Sequence, residues 1–193
     1  MNTPKVDRKF NLKNLKLVSE LVPDEFECFI MYGTLLSYER EGNIFEKDDD
    51  IDFLIHKKHR QNLINIFHNH SLSSNIKCLL NINVGGLNTN AIFQVINVYD
   101  DIPTFIDFYF YEESENFITD LWTTYEHSRV GLPLSIDFPK EKILPISKTN
   151  IQGIPINVPS DIDFCCEFVY GKNYMTPLEK DEYQTFPCLK GKL

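Results

Sequence analysis

Two aspartates stand at the start of a strongly apolar stretch, DIDFLIH at residues 50–56. The alternation of its residues predicts a half-buried β-strand. Side chains two residues apart on a strand point to the same face, so Asp50 and Asp52 project together. At about 4 Å, two such carboxylates repel each other by roughly 4 kcal/mol at an effective dielectric constant near 20. A divalent cation held between them would offset that cost.

A second apolar stretch, FIDFYF at residues 105–110, carries one acidic residue, Asp107. If the two stretches form neighbouring strands, Asp107 completes a cluster of three carboxylates. Oxygen ligands without a nearby Cys or His favour Mg²⁺ or Mn²⁺ over Zn²⁺. Two alternatives remain open at this point: the run DDDID at residues 48–52 can be an exposed acidic loop, and Asp107 can lie on the solvent face of its strand.

The segment before the aspartates predicts a strand, a tight turn and a helix. Glu27–Tyr32 is a short apolar run that ends at Gly33, and residues 34–40 favour a helix that Gly42 ends. Apolar residues at helical spacing predict an earlier helix over residues 10–22, closed by Pro23. A further helix is expected over residues 57–70, directly after the acidic strand.

The middle of the chain predicts a sheet. Strands are expected at residues 76–84, 91–98 and 104–111, with a Gly85–Gly86 turn between the first two. Trp122 is expected to pack a peripheral segment onto the core. Tyr125, His127 and Arg129 are candidates for the substrate pocket, and a structural or solvent-exposed role is the alternative for all three.

The end of the chain predicts a hairpin and a helix. Alternating Ile and Val among prolines over residues 138–158 favour an edge hairpin or meander. Ser160 followed by Asp163 indicates the start of a helix that runs to Tyr170 and ends at Gly171. Together these elements predict one α/β domain over residues 1–193.

Charge and hydropathy exclude several classes of function. The formal net charge is −9, with acidic residues spread along the chain, so a nucleic-acid partner is not expected. No apolar run approaches the roughly 18–20 residues of a membrane span, and the polar start is unlike a signal peptide, so we expect a cytoplasmic protein. The patterns of triad hydrolases, P-loop enzymes and dinucleotide-binding dehydrogenases are absent from the sequence.

The five cysteines indicate a reducing environment. They form an odd set without a C-x-x-C pair, which argues against a disulfide framework and against a structural zinc site. We expect reduced, mostly buried side chains at Cys28, Cys78, Cys165, Cys166 and Cys188.

The order of several motifs resembles a known family. GTLL at residues 33–36, then Arg40, then DDDID at residues 48–52 resemble the signature of LicD-type phosphotransferases, relatives of fukutin and fukutin-related protein within the nucleotidyltransferase superfamily. The stretch around Asp107 is similar to the family's later acidic strand, and residues 151–174 resemble its closing segment. The resemblance implies a small mixed β-sheet of nucleotidyltransferase type, flanked by helices, with a C-terminal hairpin and helix.

This resemblance also implies an activity. Such enzymes move a phosphorylated alcohol, for example phosphocholine, from a CDP-linked donor to a hydroxyl of a cell-surface glycan or its lipid-linked precursor, and release CMP. The partners implied are thus a CDP-alcohol and a glycan acceptor, with at most peripheral contact with the inner face of the membrane. Two alternatives remain: transfer of a nucleoside monophosphate with release of pyrophosphate, and a nucleotide- or glycan-binding subunit without turnover.

Roles for the acidic residues follow from the resemblance. Asp50 and Asp52 would bind the metal, Mg²⁺ or Mn²⁺, that bridges the donor diphosphate. Asp107 would ligate the same ion or accept the proton of the incoming hydroxyl. Asp48 would be an additional or supporting ligand, with a surface loop as the alternative.

Roles for three further residues concern the donor. Gly33 would let the backbone approach the phosphates, and Thr34 with the following N–H groups would favour an anion at a helix start. Arg40 would neutralise charge on the diphosphate, and a surface helix arginine is the alternative.

Overall fold

The computed structural model describes residues 7–46, 48–74, 77–82, 90–129 and 135–177. Helices are interspersed with groups of strands along the chain, which gives the mixed α/β arrangement that the sequence predicts. In chain order the elements are α1 (Arg8–Leu21), β1 (Phe29–Ile30), α2 (Tyr32–Glu41), β2 (Asp50–His56), α3 (Arg60–Ser73), β3 (Lys77–Asn81), β4 (Ile92–Tyr99), β5 (Ile102–Glu113), β6 (Phe117–Asp120), α4 (Leu121–Arg129), β7 (Ile136–Pro139), α5 (Lys140–Ile143), β8 (Ser147–Ile151), β9 (Ile154–Val158) and α6 (Ile162–Tyr170).

Seven of the strands form one mixed sheet. Its central order is β1-β2-β5-β4-β3, while β6 pairs with the end of β5 and β7 pairs with β6. β2 and β5 are parallel, and the other pairs are antiparallel. In the parallel pair, Asp52 lies opposite Asp107. The condition that the sequence left open, that the two acidic strands are neighbours, is therefore met.

Strand β5 separates the core from the face that carries Asp107. Ile106, Phe108 and Phe110 are fully buried on one face, and Phe108 packs against Phe53 of β2 with the ring centroids 5.5 Å apart. The residues between them, Asp107 among them, point to the opposite face. The apolar face stabilises the sheet, and the other face is left for the site.

Helices and a hairpin cover the sheet. α1 contacts β2 and β5, α3 contacts β3 and β4, and α2 packs against α6. β8 and β9 form a separate two-stranded sheet that contacts β1 and α1. The predicted C-terminal hairpin and helix are thus present, but β7 joins the main sheet, because its fully buried Ile136 and Phe138 pack there.

The strand and turn before Gly33 differ from the prediction. β1 has only two residues, and α2 already begins at Tyr32, so Gly33 lies inside the first helical turn. Tyr32 itself has the positive φ of 49° that the sharp change of direction requires. Glycine at position 33 is therefore explained by space rather than by backbone conformation.

Other expectations have mixed outcomes. Asp161, not Ser160, caps α6, because its side chain accepts a hydrogen bond from Phe164 N–H at 2.9 Å. The cysteines within the described ranges are free, and all of them except the half-buried Cys78 are buried. Cys188 and the predicted Gly85–Gly86 turn lie outside the described residues. Over the described parts of the chain, we find no helix with both the length and the apolar character needed to cross a bilayer.

Candidate active site

Three carboxylates meet at the junction of β2 and β5. Asp50, Asp52 and Asp107 each offer an oxygen, and these atoms lie within 4.8 Å of one another. Asp50 and Asp52 share a face of β2, and the parallel register places Asp107 beside Asp52. Asp52 is only 5% exposed and Asp107 only 8%. The two alternatives left open by the sequence, an Asp107 that faces solvent and a wholly exposed acidic loop, are therefore wrong.

Burial and mutual repulsion make the ionised cluster costly. Burial raises the pKa of Asp52 well above its ordinary value, and the charges of Asp50, Asp107 and Asp48 raise it further. The pKa of Asp107 rises to about 7, mainly through burial, although its hydrogen bond with Gln94 opposes the shift. A bound cation would relieve both the burial penalty and the repulsion.

The first turn of α2 holds the Asp52 side chain in place. Thr34 N–H donates to Asp52 Oδ2 at 3.4 Å, and Thr34 Oγ1 accepts from Asp52 N–H at 2.8 Å. A Cβ at Gly33 would lie 3.2 Å from Asp52 Oδ2 and 3.7 Å from Asp48 Oδ2. Gly33 and Thr34, which the sequence assigns to binding of the CDP-linked donor, thus lie against the carboxylates in this structure.

Asp48 extends the acidic surface. Asp48, Asp49 and Asp50 form a second group whose oxygens approach within 4.8 Å. The backbone of this segment is anchored by Asn11 of α1, whose Nδ2 donates to the Asp48 carbonyl at 2.9 Å and to the Asp50 carbonyl at 3.2 Å. Asn11 is fully buried. A polar residue on the apolar side of a predicted helix was the signal that could have revealed this role.

Asp107 is oriented by amides on the neighbouring strands. Gln94 Nε2 on β4 donates to Asp107 Oδ1 at 2.8 Å. Asn81 Nδ2 on β3 donates in turn to Gln94 Oε1 at 3.2 Å. Because Gln94 is the register partner of Asp107, the sheet itself fixes this contact.

Arg40 lies against the C-terminal segment. Its guanidinium Nε donates to the carbonyl of Tyr174 at 2.6 Å, and an Nη donates to the carbonyl of Thr176 at 3.1 Å. The same guanidinium lies 5.9 Å from the centre of the Phe45 ring. These contacts tie residues 174–176 to α2, so the half-buried Arg40 is neither a free surface residue nor joined to the carboxylate cluster by these bonds.

Several aromatic residues line a cavity next to the site. The sequence alone does not assign them to it. Tyr32, Tyr109, Trp122 and Tyr170 contribute to its walls. Tyr109 could have been found from the sequence, because it lies two residues after Asp107 and so shares its face. Tyr125, a sequence candidate, packs on Trp122. The side chains of His127 and Arg129 lie outside the description of the structure.

Comparison with known proteins assigns the family. The profile of the LicD/FKTN/FKRP nucleotidyltransferase domain matches residues 25–161, well over half of the chain. The chain belongs to the LicD family. The matched range contains the whole three-carboxylate cluster, so in this LicD-family protein the cluster lies within the nucleotidyltransferase domain.

Two further comparisons add less. No curated protein matches the chain. Among solved structures, the crystal structure of the lincosamide antibiotic adenylyltransferase LnuA with lincomycin bound is similar, with 14% sequence identity and a TM-score of 0.46. That match covers 81% of this chain and 82% of the other.

The potential ligand atoms of the LicD-family site are of the kind that bind a metal ion. It consists of carboxylate oxygens, the ligands that hard divalent cations prefer. Asp52 and Asp107, both almost fully buried, carry pKa values raised by burial. A site of this kind can hold a cation and, through it, phosphate oxygens.

Proposed function

We propose that this LicD-family protein is a phosphotransferase that uses Mg²⁺ or Mn²⁺. It moves a phosphorylated alcohol from a CDP-linked donor to a hydroxyl of a cell-surface glycan or its lipid-linked precursor, and CMP is released. The observation that carries this proposal is the convergence of Asp50, Asp52 and Asp107 within 4.8 Å. Membership in a family of transferases supports it.

The residues have separate tasks in this scheme. Asp50, Asp52 and the nearby Asp48 would hold the ion, and Asp107 would either complete the ligand set or accept the proton of the attacking hydroxyl. A divalent cation, when bound, supplies Lewis-acid stabilisation of the charge on the diphosphate. The N-terminal turn of α2 brings partial positive charge to the same place, which favours phosphate oxygens.

A single displacement is the simplest reaction for these groups. The acceptor hydroxyl attacks the phosphorus atom of the alcohol phosphate, the bond from that phosphorus to the bridging oxygen breaks, and CMP leaves with the bridging oxygen. The proton of the hydroxyl passes to a carboxylate, for which Asp107 is the candidate. In-line attack requires positioning and charge stabilisation rather than a covalent intermediate, so we expect inversion at phosphorus.

Location and partners belong to the same proposal. We place the protein in the cytoplasm, where CDP-linked donors are accessible, with at most peripheral contact with the inner face of the membrane. With a net charge of −9, a nucleic-acid partner is not proposed.

A second candidate is transfer of a nucleoside monophosphate with release of pyrophosphate. The description of the matching domain as a nucleotidyltransferase favours it. The same carboxylates would serve both reactions, so the products must separate them.

Product analysis tests the proposal. The full chain is incubated with Mg²⁺, candidate glycan acceptors and a panel of CDP-choline, CDP-ethanolamine, CDP-glycerol and CDP-ribitol, and separately with nucleoside triphosphates. Acceptor-dependent CMP release that Asp52→Asn abolishes is the expected result. Asp101→Asn, which changes an exposed acid in the β4–β5 turn, is the matched control.

Two outcomes would overturn the assignment. Pyrophosphate from a triphosphate, without CMP from any CDP-alcohol, establishes the second candidate instead. Donor binding in the calorimeter that is unchanged by a chelator, together with the absence of turnover, identifies a binding subunit.

A further inference from the structure

Helix α1 carries two buried asparagines on one face. Asn11 and Asn14 are three residues apart, which places them next to each other on a helix, and both are fully buried. A buried amide costs free energy unless hydrogen bonds satisfy it. Both asparagines precede residues 25–161, the range that matches the family profile. The bonds that each amide makes therefore indicate what α1 contributes to the domain.

The edge of β2 that faces β1 has only a short neighbouring strand. β1 consists of two residues, and just beyond it Met31 N–H donates to the Asp52 carbonyl at 3.0 Å. Alternate carbonyls of a strand point to the same edge, so the carbonyls of Asp50 and Asp48 follow that of Asp52. The chain has turned into α2 by then, and β1 does not extend beside these two residues.

Asn11 takes the place of a neighbouring strand at this edge. Its Nδ2 donates to the Asp48 carbonyl at 2.9 Å and to the Asp50 carbonyl at 3.2 Å. On the opposite edge, the Asp49 carbonyl accepts from Phe105 N–H of β5 at 2.9 Å. Three consecutive carbonyls are thus fixed. Because the backbone sets the direction of each side chain on a strand, these bonds also orient the carboxylates of Asp48 and Asp50.

The other half of the Asn11 amide is left unsatisfied. Asn11 Oδ1 is buried and has no hydrogen-bond partner among the residues that the structure describes. An unpaired buried oxygen costs free energy, so an apolar side chain would serve packing alone better. What asparagine contributes at this position is therefore the Nδ2 donor and its two bonds to the acidic segment.

Asn14 makes a different set of contacts. Its Nδ2 donates to Thr104 Oγ1 at 2.9 Å. Its Oδ1 accepts from Asn97 Nδ2 at 2.8 Å and from the Tyr99 hydroxyl at 3.0 Å. These partners lie on β4 and β5 and are not members of the carboxylate cluster. Asn14 therefore joins α1 to the sheet, whereas Asn11 holds the segment that carries two of the carboxylates.

We propose that Asn11 is a positioning residue of the metal site, which sets the affinity for Mg²⁺ by fixing the backbone of Asp48 and Asp50. This inference rests on the proposed function, because it concerns the same ion. It gives α1, a helix outside the range of the family match, a part in the site. Asn14 serves the stability of the fold and not the metal site.

Two matched variants of the full chain separate these roles. Asn11→Ala and Asn14→Ala each remove a fully buried amide from the same helix face, so both should lower the melting temperature. Calorimetry with Mg²⁺ and with Mn²⁺, at a temperature below both transitions, measures affinity apart from that effect. Asn11→Ala should bind either ion about tenfold more weakly than wild type or worse, and Asn14→Ala should stay within about twofold.

Asn11→Thr is a milder change at the same position. Threonine keeps most of the side-chain volume but has no donor at the place of Nδ2, so its metal affinity should fall as in Asn11→Ala. Failure of both Asn11 variants to fold overturns this inference, since position 11 then serves the fold.

The affinities distinguish failure of this inference from failure of the proposed function. Wild-type affinity in the Asn11 variants, or equal losses in Asn11→Ala and Asn14→Ala, overturns this inference and leaves the proposed function standing. A wild-type protein that binds neither Mg²⁺ nor Mn²⁺ overturns the proposed function as well.

Discussion

Thr34 and Asp52 are joined by two hydrogen bonds of opposite direction. Asp52 N–H donates to Thr34 Oγ1 at 2.8 Å, and Thr34 N–H donates to Asp52 Oδ2 at 3.4 Å. The pair connects the first turn of α2 to the first residues of β2, and both residues are buried. The orientation of this candidate metal ligand therefore depends on the helix that precedes its strand in the chain.

Replacing Thr34 by Val tests that connection. The substitution preserves the shape but leaves Asp52 N–H buried without an acceptor, which costs about 1–3 kcal/mol. For a chain of this size the loss corresponds to a decrease of several degrees in the melting temperature, at about 2–4 °C per kcal/mol. Affinity for Mg²⁺ should fall with it. Thr34→Ser keeps the hydroxyl and should behave as wild type in both measurements; identical results for Val and Ser would contradict the prediction.

Gly33→Ala should separate stability from metal binding. Alanine favours a helix over glycine by about 1 kcal/mol, so the melting temperature should hold or rise. The new Cβ, however, lies 3.2 Å from Asp52 Oδ2, so that carboxylate must shift by a few tenths of an ångström. Affinity for Mg²⁺, measured by calorimetry, should fall by about tenfold or more, as it does when supporting contacts of a metal ligand are lost.

Gly42→Ala is a control for which we expect the opposite effects on stability and on metal binding. Gly42 has a φ of 62°, and a Cβ there would meet nothing within 4 Å. This variant should lose stability, because alanine is strained at positive φ, while it retains metal affinity. If Gly33→Ala binds Mg²⁺ as tightly as wild type, space beside Asp52 is not the reason for glycine at position 33.

The acidic strands could be predicted from the sequence because two strong local signals coincide there. Alternation placed Asp50 and Asp52 on one face, and Asp107 stood out as a charge among bulky apolar residues. The family resemblance gave the order of the elements. Parallel pairing of β2 with β5, which brings the three together, is a non-local contact, and the sequence could only state it as a condition.

The cavity could not be predicted from the sequence in the same way. Its walls come from four elements far apart in the chain, and no spacing rule connects Tyr32 with Trp122 or Tyr170. The position of Gly33 also differs from the predicted turn, because it lies in the first turn of α2, where a Cβ would lie 3.2 Å from Asp52 Oδ2. Tertiary contacts of this kind leave no periodic signal in a single sequence.

Asp107→Asn should have opposite effects on stability and on metal binding. The substitution removes a buried charge that the neighbouring aspartates repel, while Asn can still accept the hydrogen bond from Gln94. In a chelating buffer the variant should therefore melt higher than wild type, by about 2–4 °C for each kcal/mol of repulsion relieved. Adding Mg²⁺ should raise the melting temperature of wild type but have little effect on the variant.

The control for this comparison is Asp101→Asn, whose response to Mg²⁺ should match that of wild type. Thermal scans with Mg²⁺, Mn²⁺ and a chelator make the comparison directly. A wild-type melting temperature that neither Mg²⁺ nor Mn²⁺ changes would contradict the assignment of Asp50, Asp52 and Asp107 as metal ligands.

Asp120 gives a dependence of stability on pH that is independent of the metal. Burial raises the pKa of this carboxyl above its ordinary value of 3.8, although hydrogen bonds from Thr123, Tyr32 and Trp122 oppose the shift. The folded protein thus keeps the proton at pH values at which the unfolded chain has released it. The stability that this group contributes is complete below about pH 4 and is lost as the pH rises through the raised value.

Asp120→Asn removes that titration, so the melting temperature of the variant relative to wild type should increase as the pH is raised from about 4 to about 7. The slope of this difference is the test, because Asn also loses one acceptor oxygen and the variant starts from a different absolute stability. Thermal scans of both proteins in a chelating buffer at each pH measure it. A difference that stays constant, or that shifts in favour of wild type as the pH rises, shows that the buried carboxyl is already ionised at low pH, held by its three hydrogen bonds.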